Sequence, residues 1–138
     1  MSDRALRRAE VAVAVAGVGV SAYLTWVHYH PGALVCTRGG GCETVQHSHY
    51  AVLLGIPVAV IGLAAWTIVL ALVLWDSPGS RLAVAATALA ALAFVVYLVV
   101  LQLSVIHAVC VWCMVNDVLL VPALAAIAIA RMVREADG

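Results

Sequence analysis

Residues 82–130 read LAVAATALAALAFVVYLVVLQLSVIHAVCVWCMVNDVLLVPALAAIAIA. This run of 49 residues contains one formally charged side chain, Asp117. As a single α-helix it would be roughly 73 Å long, more than twice the roughly 30 Å thickness of a bilayer core. The run must therefore cross a membrane twice, and its most polar stretch, residues 102–107, predicts the turn between the two crossings.

Two more stretches without charge, residues 11–27 and 51–75, are each long enough for one further crossing. A short polar segment, residues 76–81, separates the second crossing from the third. We therefore predict an all-α integral membrane protein, a four-transmembrane-helix bundle that forms a single membrane domain over residues 1–138. The expected spans are approximately residues 8–28, 53–75, 82–104 and 108–130.

Composition supports the membrane assignment. Of the 138 residues, 66% are hydrophobic and only 10% are charged, and the mean hydropathy is +1.13. Soluble domains carry about 25% charged residues, and a chain of this length has too small a core to bury such an apolar excess. The formal net charge is zero and no basic run is present, so we expect no nucleic-acid partner.

A long loop is predicted at residues 29–52, because it contains Pro31, several glycines and most of the histidines. Its later part, residues 43–54, is expected to form a short interfacial helix. Arg38 is the one arginine on this side of the predicted bundle, whereas six lie on the other side: Arg4, Arg7, Arg8, Arg81, Arg131 and Arg134. The positive-inside rule then predicts two cytoplasmic termini and an outward-facing loop.

All four cysteines are predicted on the outer face, where disulfides persist. Cys36 and Cys42 flank three glycines, which suits a mobile disulfide that exchanges with another protein. Cys110 and Cys113 form a C-x-x-C motif at the first turn of the last span. Cysteines spaced i, i+3 share a helix face, and the helix N-terminus favours a thiolate, the species that attacks disulfides. The two pairs together indicate a two-step electron relay, although a structural clip at Cys36 and Cys42 is an alternative.

The order of these features resembles the bacterial branch of the vitamin K epoxide reductase family. After the spaced loop pair come Ser48, the sequence Gly-Ile-Pro at residues 55–57, and a C-x-[WY]-C motif at the last span. The segment over residues 42–57 is the most specific part. The disulfide bond formation protein B family has the two cysteine pairs in the reverse order, which argues against that alternative.

The resemblance implies a quinone-linked thiol oxidoreductase that supports disulfide bond formation in a bacterial inner membrane. Cys36 would meet the thiol of a thioredoxin-fold partner, Cys42 would exchange with Cys110, and Cys113 would face the quinone, menaquinone or ubiquinone. Ser48 corresponds to a family serine or threonine near the quinone. Many members carry a fused thioredoxin-like domain, which this chain lacks, so a separate partner is expected.

The sequence leaves two interpretations open for each of three features: the polar residues in the apolar spans, Trp112, and the cysteines with the loop histidines. Asp117, inside an apolar span, either relays a proton to the quinone or is a satisfied buried carboxyl, and Gln102 and Asn116 share that ambiguity. Trp112 either walls the quinone site or anchors the membrane interface. The cysteines, with the loop histidines, alternatively bind or transport a heavy metal, although we expect no metal site.

Overall fold

The computed structural model of the protein describes residues 1–30, 32 and 41–138. Cys36 and Arg38, on which the predictions for the outer loop depend, lie outside the described residues. The helices and strands are α1 (Asp3–Tyr29), α2 (Gly41–Gln46), a 3₁₀ turn (His49–Ala51), β1 (Val52–Leu53), β2 (Ile56–Pro57), α3 (Val58–Trp75), α4 (Pro78–Val100), a π-helical segment (Leu101–Ile106), α5 (Val111–Met114), a second π-helical segment (Val115–Leu120) and α6 (Val121–Asp137).

Four helical stretches are long and apolar enough to cross a membrane: Asp3–Tyr29, Val58–Trp75, Pro78–Ile106 and Val111–Asp137. Large apolar side chains such as Leu74, Leu82 and Leu89 are at least half exposed on the outside of the bundle. In a soluble protein so much exposed apolar surface would be a liability, whereas lipid tails solvate it. The predicted four-helix membrane bundle is confirmed.

The connection between the first two long helices contains the predicted short helix, α2. The second span was expected to begin near residue 53, but α3 begins at Val58. Before it, Val52–Leu53 pairs antiparallel with Ile56–Pro57. Leu54 (φ 53°) and Gly55 (φ 82°) form the tight turn of this small hairpin, and a glycine adopts such a left-handed backbone at little cost.

The turn between α3 and α4 is set by local chemistry. Asp76 ends α3 in the left-handed conformation (φ 54°). Ser77 caps α4 by accepting a hydrogen bond from the Ser80 N–H at 3.1 Å, while Ser80 Oγ accepts one from the Ser77 N–H at 2.8 Å. Pro78 follows in the first turn, where its missing N–H is not needed. The chain therefore reverses direction between α3 and α4 with only Asp76 and Ser77 outside the two helices.

The long apolar run breaks after its π-helical segment. His107 has a left-handed backbone (φ 55°), and the chain resumes helical geometry only at Val111. The chain therefore leaves the helix at the end of the stretch that was predicted to turn, and the break delivers the C-x-x-C motif to the start of the last span.

Helices α1 and α3 pack against each other through small residues. A Cβ placed on Gly17 would lie 2.1 Å from the ring of Trp66, and one on Gly62 would lie 3.3 Å from Ser21 Oγ. Gly19, two residues further along α1, has no atom within 4 Å of the same position. Glycine at position 17 thus allows the Trp66 indole to pack directly against the α1 backbone.

Gly17→Ala is expected to lower the free energy of unfolding by about 1–3 kcal/mol, because the added methyl group forces Trp66 out of its packing. Gly19→Ala is the matched control and should be neutral or slightly stabilising. Thermal unfolding in detergent micelles, followed by circular dichroism, measures both variants. Equal midpoints for the two would contradict this account of the α1–α3 contact.

An ion-pair network lies at the end of the bundle opposite the cysteines. Arg131 is 2% exposed and binds Asp3 at 3.0 Å, Glu10 at 2.5 Å and Asp76 at 2.7 Å. Arg81 adds a contact to Asp76 at 3.0 Å. Burial raises the pKa of Asp76, but hydrogen bonds from Arg131 and Arg81 outweigh it and hold that pKa below its usual value. The network joins α1, the α3–α4 turn and α6.

Candidate active site

Cys110 and Cys113 lie where the last membrane-spanning stretch begins. Cys110 is the N-cap of α5, and its Sγ accepts a hydrogen bond from the Cys113 N–H at 3.3 Å. The two sulfur atoms are 2.7 Å apart and both residues are free thiols. A disulfide bond is about 2.05 Å long, so the pair can close one with a shift of about 0.7 Å.

Gln102 holds the backbone in front of this pair. It is 3% exposed, and its Oε1 accepts a hydrogen bond from the Cys110 N–H at 2.9 Å. Its carbonyl oxygen accepts from the N–H groups of His107 and Ala108. A buried amide in this position satisfies backbone groups that the break in the helix would otherwise leave unpaired. The hydrogen bonds of Gln102 agree with the second of its two predicted interpretations, a buried polar side chain that is satisfied within the protein.

The short helix α2 brings the outer cysteine segment to the same place. Cys42 and Gln46 are four residues apart on one face of α2, and both are buried. Cys42 is in a disulfide, while Cys36 lies outside the described residues. Gln46 Nε2 donates to Cys113 Sγ at 3.4 Å and lies 4.0 Å from Cys110 Sγ. Gln46 was not predicted from the sequence, although four residues from Cys42 to Gln46 place the two on one face of a helix.

The start of α2 packs directly against the segment before the C-x-x-C motif. A Cβ placed on Gly41 would lie 2.3 Å from the carbonyl oxygen of Val109. Gly41 immediately precedes Cys42 and Val109 immediately precedes Cys110, and both cysteines have no exposed surface. The absence of a side chain at Gly41 lets the two cysteine segments approach at backbone distance.

Gly41→Ala is expected to slow the electron relay that the sequence predicts between the two cysteine segments by roughly tenfold to a hundredfold, because a misplacement of about 1 Å has that effect on reacting groups. The measurement is the rate of thiol oxidation by the membrane-reconstituted protein with a quinone present. Gly19→Ala, at a glycine with open space around it, is the control. An unchanged rate in Gly41→Ala would show that the backbone contact is not needed.

A cavity of about 180 Å³ lies between the long helices, beside the thiol pair. Its wall is mostly apolar, and Cys113 is part of that wall. Ser48 and Asp117, two of the three predicted quinone contacts, also line it. Neither Cys110 nor Trp112 is among the described residues that line the cavity. An apolar cavity with a few polar groups is the usual form of a small-molecule site.

Two of the predicted contacts have partners within the protein. Trp112 packs edge-on against Tyr23, with the ring centroids 5.2 Å apart. Ser48 donates its hydroxyl hydrogen to the carbonyl oxygen of Val45 at 2.8 Å, so its oxygen can take part in a further hydrogen bond only as an acceptor.

A chain of hydrogen bonds fixes Asp117. Trp66 Nε1 donates to Asn116 Oδ1 at 2.8 Å, and Asn116 Nδ2 donates to Asp117 Oδ1 at 3.0 Å. Asp117 is 4% exposed, and its Oδ2 has no hydrogen-bond partner among the described residues. Both Asn116 and Asp117 belong to the π-helical segment Val115–Leu120, a geometry that is common at functional sites. The orphaned oxygen lies in a residue that lines the cavity, and so can meet a polar atom of a ligand.

The environment of Cys110 favours its thiolate. The hydrogen bond from the Cys113 thiol is the main cause that lowers the pKa of Cys110 from an ordinary 9.0 to about 7. Burial opposes this shift, while the Cys113 N–H and the Gln46 amide reinforce it. A thiol with a pKa near the ambient pH is well suited to disulfide exchange.

The thiolate fraction of Cys110 rises with pH. Above about pH 7 Cys110 is mainly a thiolate, and below it the fraction falls about tenfold per pH unit. We therefore expect the ultraviolet thiolate absorbance of the reduced protein to show a transition near pH 7 that is missing in Cys110→Ser. A first transition near the ordinary thiol value of 9.0 would contradict the assignment.

Metal binding finds no support in the part of the chain that the structure describes. Among residues 1–30, 32 and 41–138, no group of three or more His, Cys, Asp or Glu side chains is arranged to hold a metal ion. His28 lines the cavity and His47 is exposed.

A bundle of apolar spanning helices with a dithiol at the wall of an internal cavity defines a membrane thiol oxidoreductase. The family model of the vitamin K epoxide reductase family matches residues 9–128, so the chain belongs to that family. The family consists of thiol–quinone oxidoreductases, and the protein is therefore an enzyme of this class that uses a quinone. The resemblance seen in the sequence is confirmed at the level of the family.

Proposed function

We propose that this enzyme oxidises a separate thioredoxin-fold protein and passes the electrons to menaquinone or ubiquinone. In the first step the partner dithiol reduces the Cys36–Cys42 disulfide and becomes a disulfide itself. Cys42 then attacks an oxidised Cys110–Cys113 pair, and the outer disulfide re-forms as the inner pair becomes a dithiol. Finally Cys110 and Cys113 release two electrons and two protons to the quinone and close their disulfide again.

The observation that carries this proposal is the approach of α2 to the C-x-x-C segment. Gly41 lies against Val109, so the residues that follow them, Cys42 and Cys110, belong to adjoining segments. Disulfide exchange needs direct contact of sulfur atoms, which distant segments could not provide.

The cavity residues fit a quinone. Apolar walls suit its ring, and in this proposal the orphaned Oδ2 of Asp117 holds a proton for one quinone oxygen. Ser48 is retained as a second polar contact. Trp112 stays a candidate for the quinone site, but its packing against Tyr23 supports its other predicted role as an interface anchor.

We further propose that the protein lies in a bacterial cell membrane with the cysteines on the outer face. Arg7, Arg81 and Arg131 all take part in the ion-pair network at the end that holds both termini. The positive-inside rule assigns that end to the cytoplasm. In a cysteine-free background, an impermeant maleimide applied to intact cells should label Leu54→Cys and not Asp137→Cys. The reverse labelling would overturn this topology.

The test of the reaction uses the full chain in nanodiscs with a short-chain quinone and a reduced thioredoxin-fold protein. We expect one partner disulfide and one hydroquinone per turnover. Asp117→Asn should slow quinone reduction and keep partner exchange, because it removes only the carboxyl proton. If the wild-type protein consumes no partner thiols, the proposed function is wrong. If Asp117→Asn reduces quinone at the wild-type rate, the assigned role of Asp117 is wrong.

A further inference from the structure

The amide of Gln46 lies within reach of both sulfur atoms of the inner pair. Its Nε2 is 3.4 Å from Cys113 Sγ and 4.0 Å from Cys110 Sγ, and the residue is 8% exposed. A buried amide is costly unless its hydrogens find acceptors, and a sulfur anion is a far better acceptor than a neutral thiol. The amide of Gln46 therefore favours the state in which the cysteine pair carries a negative charge.

The reduced pair is arranged to share a single negative charge. The sulfur atoms are 2.7 Å apart. One of them can therefore remain a thiol and donate a hydrogen bond to the other, which is the thiolate. Cys113 lines the cavity, whereas Cys110 is not among the described residues that line it. Reduction of a ligand in the cavity requires the charge to reach the sulfur of Cys113. The shorter of the two amide contacts is the one to that sulfur.

We propose that Gln46 is a positioning residue that stabilises the negative charge shared by Cys110 and Cys113 and draws it to the cavity wall. This inference rests on the proposed function for the identity of the electron acceptor. In the step it assists, the two sulfur atoms give up two electrons and close a disulfide. The thiol proton and one proton from the surroundings complete the hydroquinone. Gln46 itself neither gains nor loses a proton.

Gln46 can stabilise the charge of the inner pair only when α2 is in place, because Gln46 belongs to that helix. The same short helix carries Cys42, one turn earlier. The amide therefore reaches the inner pair only while α2 is docked against the C-x-x-C segment. Reduction of the quinone is thereby linked to the position of the helix that delivers electrons from outside.

Two substitutions separate the amide hydrogens from the volume of the side chain. Gln46→Met keeps similar size without a donor, and Gln46→Glu keeps the shape but replaces the donor with an acceptor. Thr44→Met places the same new side chain at an exposed position of α2 and serves as the control. Thermal unfolding of each variant establishes that the bundle is intact.

Two readouts are used, both on the full chain in nanodiscs with the inner pair reduced beforehand. The first is the single-turnover rate of reduction of a short-chain quinone, and the second is the pH midpoint of the thiolate absorbance. We expect Gln46→Met to slow the reduction roughly tenfold and to move the midpoint up by about one pH unit, as the loss of a hydrogen bond to a charged group implies. Gln46→Glu should exceed both effects, and Thr44→Met should match the wild type.

The outcomes distinguish this inference from the function on which it rests. If the wild type reduces quinone and Gln46→Met equals Thr44→Met in both readouts, Gln46 has no such role. If the wild type reduces no quinone, the proposed function fails, and the pH midpoints alone then decide whether Gln46 stabilises the thiolate. A slowed Gln46→Met with an unchanged midpoint would also overturn the inference, because it would indicate a packing defect.

Discussion

Cys113→Ala is expected to lower the rate of quinone-dependent thiol oxidation by roughly 10³-fold or more, the scale on which loss of an essential reacting group acts. Cys113 is the cysteine of the inner pair whose side chain lines the cavity, and its sulfur is 2.7 Å from that of Cys110. Without it the inner disulfide cannot close, so the two electrons have no route to the quinone.

The same variant should accumulate a trapped intermediate. Cys110 remains as a buried thiol next to the segment that carries Cys42, and after it attacks Cys42 no Cys113 thiol is left to resolve the bond from the side of the inner pair. Mass spectrometry of the unreduced protein should detect a Cys42–Cys110 disulfide. Met114→Ala, which changes the next residue and does not alter a described part of the cavity wall, is the control. Full activity in Cys113→Ala would exclude a catalytic role for the C-x-x-C pair.

Arg131→Met is expected to destabilise the bundle by about 3–5 kcal/mol, because removal of one partner leaves a buried charge uncompensated. Glu10 is 2% exposed and accepts a hydrogen bond from Arg131 within the apolar bundle. Asp3 and Asp76 lose a partner in the same substitution.

The measurement is the free energy of unfolding from SDS titration in mixed micelles. Arg134→Met removes an exposed arginine three residues further along α6, and it should change stability by less than about 0.5 kcal/mol. The double variant Glu10→Gln with Arg131→Met should recover part of the loss, because it also removes the unpaired carboxylate. If Arg131→Met and Arg134→Met have the same stability, the network contributes nothing.

The four spans could be predicted because they depend on length and polarity alone. A 49-residue apolar run exceeds one bilayer crossing whatever its neighbours are, and Asp117 stands out because ionisable groups inside spans are rare. The position of the C-x-x-C motif at a helix start followed from the same count. These features are local in sequence, and no knowledge of the packing is needed to find them.

What the sequence could not supply are the contacts between distant segments. Gln46 touches sulfur atoms 64 and 67 residues away, and nothing in its neighbourhood indicates that α2 folds back on the last span. Arg131 was counted from the sequence as one of six cytoplasmic arginines. In the structure it is buried and paired with three carboxylates. The start of the second span was predicted too early, near residue 53. Val52 and Leu53 are as apolar as residues of a membrane helix, but they belong to the hairpin.

The arrangement of α2 has a consequence for how this segment tolerates changes of length. Cys42 and Gln46 reach their positions because they are four residues apart on a helix that has 3.6 residues per turn. Inserting one alanine between them would rotate Gln46 by about 100° around the helix axis and swing its amide away from the inner pair. We therefore expect that an insertion or a deletion between these two positions separates Gln46 from the inner pair. The spacing of this five-residue stretch is fixed by the helix geometry.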